Sequence, residues 1–412
     1  MMGYCIKHSR FMTAAVAATC GLGVWLTSAP EAEAQGLFRS QSGSICEQAA
    51  DAELKPIRRT LVYVDQQSLS LEQSGQGWFD SLNQMLQQTM STAEPLEIIV
   101  LNSAEGTARR HGETLCYPVI DERYQERFRS SGISSLLTND LIDQLPKLQQ
   151  EMVRQMQDQV GPAYVHAPEQ LSRRAPSQVG ERHLLRALQA DAARFVDDTP
   201  TRVIIYSDMI ENSSVAELEA ILEASREEMV ELASQAAEQL PRLDFQGAMV
   251  YGYGTGHSLD DPAATDALSS FMQQVVYMAN GHPGSVSREL AVRPVRPANS
   301  QRYDTVVTVG DQPYRGRMHL LSDESGRLTD SYLDLGVGNR SAHFASGRLV
   351  CSDSNDCQLE GTLATTLVFE DPENVFLEGQ LSALEGHLGF RNDRLQDSEN
   401  PALVPLTASG RQ

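Results

Sequence analysis

The sequence predicts an α/β fold with a doubly wound, mostly parallel sheet, followed by a smaller antiparallel β-domain. Two observations lead to this prediction. In the first part of the chain, short apolar β-rich runs alternate with amphipathic helical segments, which is typical of parallel sheets covered on both faces. Beyond a Pro-rich joint at 293–298, the helical period disappears and short strand candidates alternate with polar turns.

The α/β domain is predicted to span residues 57–290. Its strand candidates are short runs rich in Val, Ile, Leu and Tyr, and its helix candidates have apolar residues at i, i+3 and i+4 spacing. The strands are predicted at 60–65, 96–101, 202–208 and 247–252, and the helices at 77–90, 139–160, 180–196, 215–240 and 262–279.

The second domain is predicted to span residues 301–392. Alternating apolar and polar residues, as in 358–363 and 376–381, indicate strands with one apolar face. We expect an antiparallel meander or a small barrel, followed by a loose tail.

Residues 1–34 have the features of a secretory signal peptide. Lys7 and Arg10 precede an apolar run at 11–26, and Ala32-Glu33-Ala34 forms an A-x-A cleavage site. The mature chain is therefore expected to begin at Gln35 and to be exported, either to the periplasm or to the medium. The alternative is a lipoprotein anchored through Cys20. No run reaches the roughly 20 apolar residues of a membrane span, so no transmembrane segment is expected.

The net charge disfavours nucleic acid as a partner. Asp and Glu total 55 against 33 Lys and Arg, which gives a formal charge of -22. Such a chain repels phosphate backbones and anionic lipid surfaces.

Four cysteines remain after cleavage of the signal peptide. Cys351 and Cys357 flank a polar, turn-forming stretch, which predicts a bridge between them and leaves Cys46 to pair with Cys116. The alternative, a zinc site, lacks a C-x-x-C unit or a closely spaced His.

Two predicted strands end in an acid. Asp65 closes the first strand and Asp208 closes the strand 202–208. Ligands of open parallel sheets bind beyond the carboxyl ends of the strands, so neighbouring strands would direct both acids into one crevice.

From residue 57 to about 285 the chain resembles a von Willebrand factor type A domain. The first strand ends in Asp65 with serines nearby, and an amphipathic helix precedes a strand ending in Ser207-Asp208. A Val-Tyr-Gly-Tyr-Gly strand at 250–254 then leads to a helix that ends near Asn280. The resemblance implies the open sheet predicted above.

The resemblance also implies a metal-ion-dependent adhesion site, which is degenerate in this chain. The family pattern is Asp-x-Ser-x-Ser, a Thr from a later loop and an Asp after the central strand. Gln67 and Leu69 replace the two serines, Ser68 and Ser70 each lie one position late, and Ser177 is the hydroxyl nearest to the missing Thr. Mg²⁺ or Ca²⁺ would suit a site made of Asp65, Ser68 and Asp208. Alternatively, the two acids hydrogen-bond the following turns.

We expect an exported, non-enzymatic binding protein that recognises a protein or cell-envelope partner. The motifs H-E-x-x-H and G-x-S-x-G are absent from the sequence. The alternatives are a hydrolase with a site at the carboxyl edge of the sheet and a carrier of a small hydrophobic ligand in the β-domain. The sequence does not specify an oligomeric state. The expected binding residues are Asp65, Ser68, Ser70, Asp208, Glu211 and Asn212.

Overall fold

The computed structural model of the protein describes most of the chain from residue 55 onward. The predicted signal peptide, Cys46 and Ser70 lie outside the described residues. All described residues belong to one compact unit. They are 55–69, 77–122, 125, 135–165, 167, 173–195, 199–309, 312–334, 341–351, 357–365, 375–381, 385–392 and 406–411.

The first part of the described chain forms a mixed, mostly parallel seven-stranded sheet, which confirms the predicted fold class. Its spatial order is β3-β2-β1-β5-β6-β7, and β4 also pairs with β2. Strands β3 and β4 run antiparallel to β2, and the other pairs are parallel. The strands are β1 (Arg59–Asp65), β2 (Pro95–Asn102), β3 (Thr107–Arg110), β4 (Leu115–Cys116), β5 (Thr201–Tyr206), β6 (Met249–Tyr253) and β7 (His282–Ser287).

Helices cover both faces of this sheet. In β1, Leu61 and Tyr63 pack on one face, while Val62 and Val64 pack on the other, as expected for a strand buried on both sides. The helices are α1 (Trp78–Thr89), α2 (Ser135–Tyr164), α3 (Leu184–Ala190), α4 (Leu218–Glu223), α5 (Arg226–Gln239) and α6 (Ala263–Met278). Within the described ranges, no helix combines the length and apolarity needed to cross a bilayer.

The single helix predicted at 215–240 is wrong, because the structure has two helices there. Ser225 caps α5: its Oγ accepts from the Glu228 backbone N–H at 3.3 Å, and the Glu228 carboxylate accepts from the Ser225 backbone N–H at 2.8 Å. This capping box starts a new helix although the apolar pattern continues across it.

The second part of the described chain closes into an eight-stranded antiparallel barrel of order β10-β11-β12-β13-β14-β15-β8-β9. The expectation of a loose tail is wrong in part, because β15 pairs with both β14 and β8 and so closes the barrel. The strands are β8 (Asn299–Val309), β9 (Gln312–Ser322), β10 (Tyr332–Asp334), β11 (Ser341–Cys351), β12 (Cys357–Thr365), β13 (Val375–Leu381), β14 (Glu385–Asn392) and β15 (Leu406–Arg411).

One predicted disulfide is confirmed. Cys351 and Cys357 are bonded and join the end of β11 to the start of β12. Cys116 is also disulfide-bonded. Its predicted partner, Cys46, lies outside the described residues, so that pairing stays a prediction.

A buried ionic cluster joins the amino edge of the parallel sheet to the barrel. Arg58 Nε donates to Glu94 Oε1 at 2.9 Å, and Arg58 Nη1 pairs with Asp330 in the loop between β9 and β10. Arg202 Nη2 lies 3.5 Å from Glu94 Oε1, and Tyr251 Oη donates to Asp330 at 2.6 Å. Burial alone would raise the pKa of Asp330. The charges of Arg58 and Arg202 outweigh this effect and hold the pKa of Asp330 below its ordinary value.

A histidine–tyrosine stack forms a second contact between the sheet and the barrel. The rings of His282 in β7 and Tyr332 in β10 stack with centroids 4.0 Å apart, and His319 in β9 meets Tyr332 edge-on at 5.6 Å. Both histidines are buried. Burial lowers the pKa of His319 to about 3 and that of His282 well below its ordinary value. The predicted division into two domains stays a prediction, although these contacts link their stabilities.

We expect Asp330→Asn to destabilise the whole described fold. The change leaves two buried arginines with one carboxylate, and breaking a buried ion pair costs about 3–5 kcal/mol. Asp330 has a φ of 46°, which Asn tolerates well, so the variant tests charge rather than backbone strain. Urea unfolding followed by far-UV circular dichroism measures the loss. Asp260→Asn, at an exposed position, is the control. Equal stability of the two variants would contradict the prediction.

We also expect His282 and His319 to make a contribution to stability that is lost as the pH drops below about 6.5, against the opposite contribution of Glu211, whose pKa is raised to about 7. His282 and His319 have folded-state pKa values below the unfolded value of 6.5, so the unfolded chain binds more protons in that range. Each histidine then costs up to about 1.4 kcal/mol per pH unit. Unfolding free energies measured from about pH 7 to about pH 5 should fall less steeply for His319→Gln. Parallel curves for the wild type and the variant would refute the assignment.

Candidate functional site

The strand order places a crevice between β1 and β5. Strand β2 follows β1 on one side, whereas β5 pairs with β1 on the other, so the winding direction of the sheet reverses there. Crevices at the carboxyl ends of such strands are the usual ligand sites of open α/β sheets. Asp65 is the last residue of β1, and Ser207 and Asp208 directly follow β5. The structure therefore brings the two predicted acids to one crevice.

Asp65 is completely buried and surrounded by hydrogen-bond donors. Ser103 Oγ donates to its two oxygens at 2.9 and 3.0 Å, and the hydroxyls of Ser68 and Ser207 each donate at 3.2 Å. The Gln67 backbone N–H adds a contact of 3.2 Å. Three serine hydroxyls thus replace water around this carboxylate.

Asp208 is buried beside Asp65 and has its own donors. Ser258 Oγ donates to Oδ2 at 2.6 Å, and the Ile210 backbone N–H donates to Oδ1 at 3.3 Å. The Asp208 backbone N–H donates to Ser68 Oγ at 2.8 Å. Because Ser68 also donates to Asp65, its hydroxyl links the loops that follow β1 and β5.

The charge of Asp208 affects the ionisation of Asp65. Burial and the negative charge of Asp208 raise the pKa of Asp65 above its ordinary value, whereas Arg182 and the Ser103 hydroxyl act in the opposite direction. Asp65 therefore depends on its donors to stay ionised.

The donor set does not fit a resident Mg²⁺ or Ca²⁺ in this arrangement. Carboxylates and hydroxyls are suitable ligand types for either ion. The two oxygens of Asp65, however, already accept from Gln67, Ser68, Ser103 and Ser207, which engages the roughly four lone-pair sites of a carboxylate. Across the described part of the chain, no three His, Cys, Asp or Glu residues group as a metal site. We therefore assign no ion to the crevice.

A segment at 173–182, here called the strap, is hydrogen-bonded to the loops after β5 and β6, which border the crevice. Backbone hydrogen bonds join Arg174 to Ser258 and Asp260 at one end, and Arg182 to Asn212 at the other. The side chain of Asn212 also donates to two carbonyls of the strap, those of Val179 and Gly180. Ser177, the hydroxyl nearest in sequence to the missing Thr, lies exposed on this strap.

Glu211, one of the expected binding residues, is not accessible at the surface of the crevice. It is fully buried, and its carboxylate accepts from the Leu185 backbone N–H at 2.8 Å and from Ser213 Oγ at 2.5 Å. Burial raises the pKa of Glu211 to about 7, against the opposing effect of the Leu185 hydrogen bond. Glu211 therefore holds the start of α3 against the loop after β5.

Two backbone features fix the crevice loops. Met209, directly after Asp208, has a φ of 59°, a region that few non-glycine residues adopt. Gly254 has a φ of 91°, and a Cβ at that position would lie 2.9 Å from the Ser207 carbonyl oxygen. The loop after β6 can therefore approach Ser207 only because residue 254 has no side chain.

Sequence reasoning missed two of the crevice serines, Ser103 and Ser258, and the nearby Arg182. Ser103 follows the end of β2, which is the same position relative to its strand that Ser207 has relative to β5. Reading every polar residue after each strand, instead of the acids alone, would have found Ser103. Ser258 and Arg182 lie on loops whose approach to the acids has no sequence signal.

Comparison of the chain with protein-family models found no match, and comparison with curated proteins found none either. The geometry of the crevice is therefore the basis for a functional proposal.

We expect Ser103→Ala to destabilise the crevice. The variant removes the hydroxyl that contacts both oxygens of Asp65, and an under-bonded buried polar group costs about 1–3 kcal/mol. Ser214→Ala is the matched control, because Ser214 is an exposed serine that accepts from Arg186. Urea unfolding should separate the two variants, and identical midpoints would show that Asp65 does not need this donor.

Proposed function

We propose that this protein is an exported, non-enzymatic binding protein whose type A-like domain recognises a protein or cell-envelope partner at the strap and the neighbouring crevice loops. The main support is the attachment of the strap beside the crevice. The strap is hydrogen-bonded at both ends to loops that border two buried acids, so the carboxyl edge of the sheet presents a fixed backbone.

The type A-like character is supported by the positions of three residues. Asp65 and Asp208 end the two strands that flank the reversal of the sheet, and Ser68 connects them. In the family, ligands bind at this location. In this chain, hydroxyls and backbone amides engage the acid oxygens that a metal would use.

The outer surface of the strap suits recognition of a macromolecule. Backbone groups at its two ends bond to Asn212, Ser258 and Asp260, so the backbone that carries its exposed side chains is held in place before binding. A preorganised surface loses less conformational entropy when a partner binds. The exposed side chains are those of Arg173, Arg174, Ser177, Gln178 and Glu181.

The end of β6 and the loop after it, beside the crevice, contain buried polar side-chain atoms with no hydrogen-bond partner among the described protein atoms. These atoms are Tyr253 Oη, Thr255 Oγ1 and His257 Nε2. Buried polar groups are seldom left unpaired, and the exceptions often mark functional regions. A small movement of this loop when a partner binds would give these atoms new partners.

The two alternative functions have less support. A Ser–His contact exists between Ser300 Oγ and His319 Nε2 at 2.9 Å, but it lies in a cleft of about 1030 Å³ beside the barrel and not at the crevice. His319 Nδ1 has no partner, so no acid orients this ring as a catalytic base requires. The carrier hypothesis needs an apolar cavity, whereas this cleft has mostly polar and charged lining residues.

Site-specific photo-crosslinking in an envelope extract tests the proposal. A photoreactive residue at Gln178, on the strap, should crosslink to a discrete partner, and the yield should not change with EDTA. The control is the same residue at Gln239, which is exposed at the end of α5 and hence at the opposite, amino edge of the sheet. Equal crosslinking from both positions, or its loss with EDTA, would contradict the proposal.

A further inference from the structure

A cleft of about 1030 Å³ lies where the chain before β1 meets one end of the barrel. Its lining residues come from the segment before β1, the start of β8, the turn 323–326 after β9, the end of β11 and the start of β12. Ligand sites of comparable volume commonly lie at barrel mouths and between the parts of a chain. The cleft therefore has the size and the position of a ligand site, and it shares no lining residue with the strap.

Three basic side chains line this cleft: Lys55, Arg302 and Arg348. Lys55 and Arg348 are exposed, and among the described residues neither forms an ion pair. Arg348 Nε donates to the Ser325 carbonyl at 3.2 Å, which orients the guanidinium and leaves its other nitrogens for a ligand. Two cations without a carboxylate partner thus line one cleft of a chain whose formal net charge is -22.

The two acids of the cleft do not cancel this charge. Asp323 Oδ2 accepts from Arg327 Nε at 2.7 Å, and Asp323 Oδ1 accepts from the Arg327 backbone N–H at 2.8 Å. Arg327 does not line the cleft, so it compensates Asp323 from outside. Glu324 lies near Glu122, which is also outside the cleft, and burial and this neighbour raise the pKa of Glu324. The cleft therefore offers positive charge to a ligand.

A fixed amide adds hydrogen-bond donors to this charge. Gln301 Oε1 accepts from Tyr303 Oη at 2.6 Å, which directs the amide nitrogen toward the Cys351–Cys357 disulfide. Gln301 Nε2 lies 3.8 and 3.9 Å from the two sulfurs. Because sulfur is a weak acceptor, these N–H groups remain available to a stronger one, such as a carboxylate or phosphate oxygen.

A buried histidine holds a hydroxyl at the same cleft. Ser300 Oγ and His319 Nε2 lie 2.9 Å apart, and both residues line the cleft. Burial and the nearby Arg302 lower the pKa of His319 to about 3, so the ring is neutral at ordinary pH and contributes hydrogen bonding instead of charge. The neutral ring orients the Ser300 hydroxyl, which adds a polar group beside the cations.

We propose that this cleft binds an organic anion through a carboxylate or phosphate group, with Lys55, Arg348 and the Gln301 amide as its donors. Arginine and lysine form their strong, charge-assisted hydrogen bonds with these two groups. An inorganic ion would fill only a small part of the cleft, and most of the other lining residues are polar. The anionic group is therefore expected on a larger, hydroxyl-bearing body such as a sugar.

Saturation-transfer difference NMR with the full chain, without its predicted signal peptide, tests this site. Glucuronate is the carboxylate probe, glucose 6-phosphate is the phosphate probe and glucose is the neutral control. We expect at least one of the two anions to bind, with an affinity that falls as salt is added because salt screens exposed charges. Arg348→Gln and Lys55→Gln should each weaken this binding about tenfold, because each removes a charge-assisted hydrogen bond.

Arg315→Gln is the matched control, because Arg315 is an exposed arginine of β9 that does not line the cleft. Binding of one anion alone would support the proposal and identify the group as carboxylate or phosphate. The proposal is overturned if neither anion binds, if glucose binds as well as the anions, or if Arg315→Gln weakens binding as much as Arg348→Gln. The inference does not rest on the proposed function, and crosslinking from Gln178 tests that function separately.

Discussion

The need to compensate buried charge governs how this protein is assembled. At the amino edge of the sheet, Arg58, Arg202, Glu94 and Asp330 form a cluster with equal numbers of positive and negative groups and almost no access to water. Asp330 comes from a loop of the barrel, so the sheet can bury its two arginines only when the barrel is in place. The sheet and the barrel therefore depend on each other, because each would otherwise leave a buried charge without a partner.

At the carboxyl edge of the sheet, other groups compensate the buried charge. Asp65 and Asp208 have like charges, and serine hydroxyls and backbone amides supply most of their compensation. The strap adds Arg182, whose guanidinium donates to Ser103, and is hydrogen-bonded to the loops beside the crevice. Hydrogen bonds to a carboxylate favour its charged form, so a hydroxyl cage can keep two acids buried where other open sheets place a ligand or an ion. The amino edge thus joins the two parts of the structure, and the carboxyl edge forms the candidate recognition surface.

The serine donors around Asp65 and Asp208 favour binding on the outside of the strap over binding of a ligand between β1 and β5. A ligand that binds the oxygens of Asp65 and Asp208 would have to displace the serine donors, whereas a partner that contacts the outside of the strap would not. Recognition on the outside also agrees with the fixed backbone of the strap, which lowers the entropic cost of association. The strained Met209 and the unpaired atoms after β6 show where the loops could adjust during such binding.

The sequence alone determined the fold class, the alternation of strands and helices, the Cys351–Cys357 bridge and the two acids at the strand ends, because each depends on local pattern or spacing. It did not reveal β7 or β15, whose residues lack a long apolar run and which form strands only by pairing with neighbours that the fold provides. It predicted Glu211 as a binding residue, whereas Glu211 is buried and accepts from the backbone at the start of α3. Ser103, Ser258 and Arg182 reach Asp65 and Asp208 from separate loops. Their role was decided by the tertiary structure, because compensation of a buried charge depends on distances in space and not on spacing along the chain.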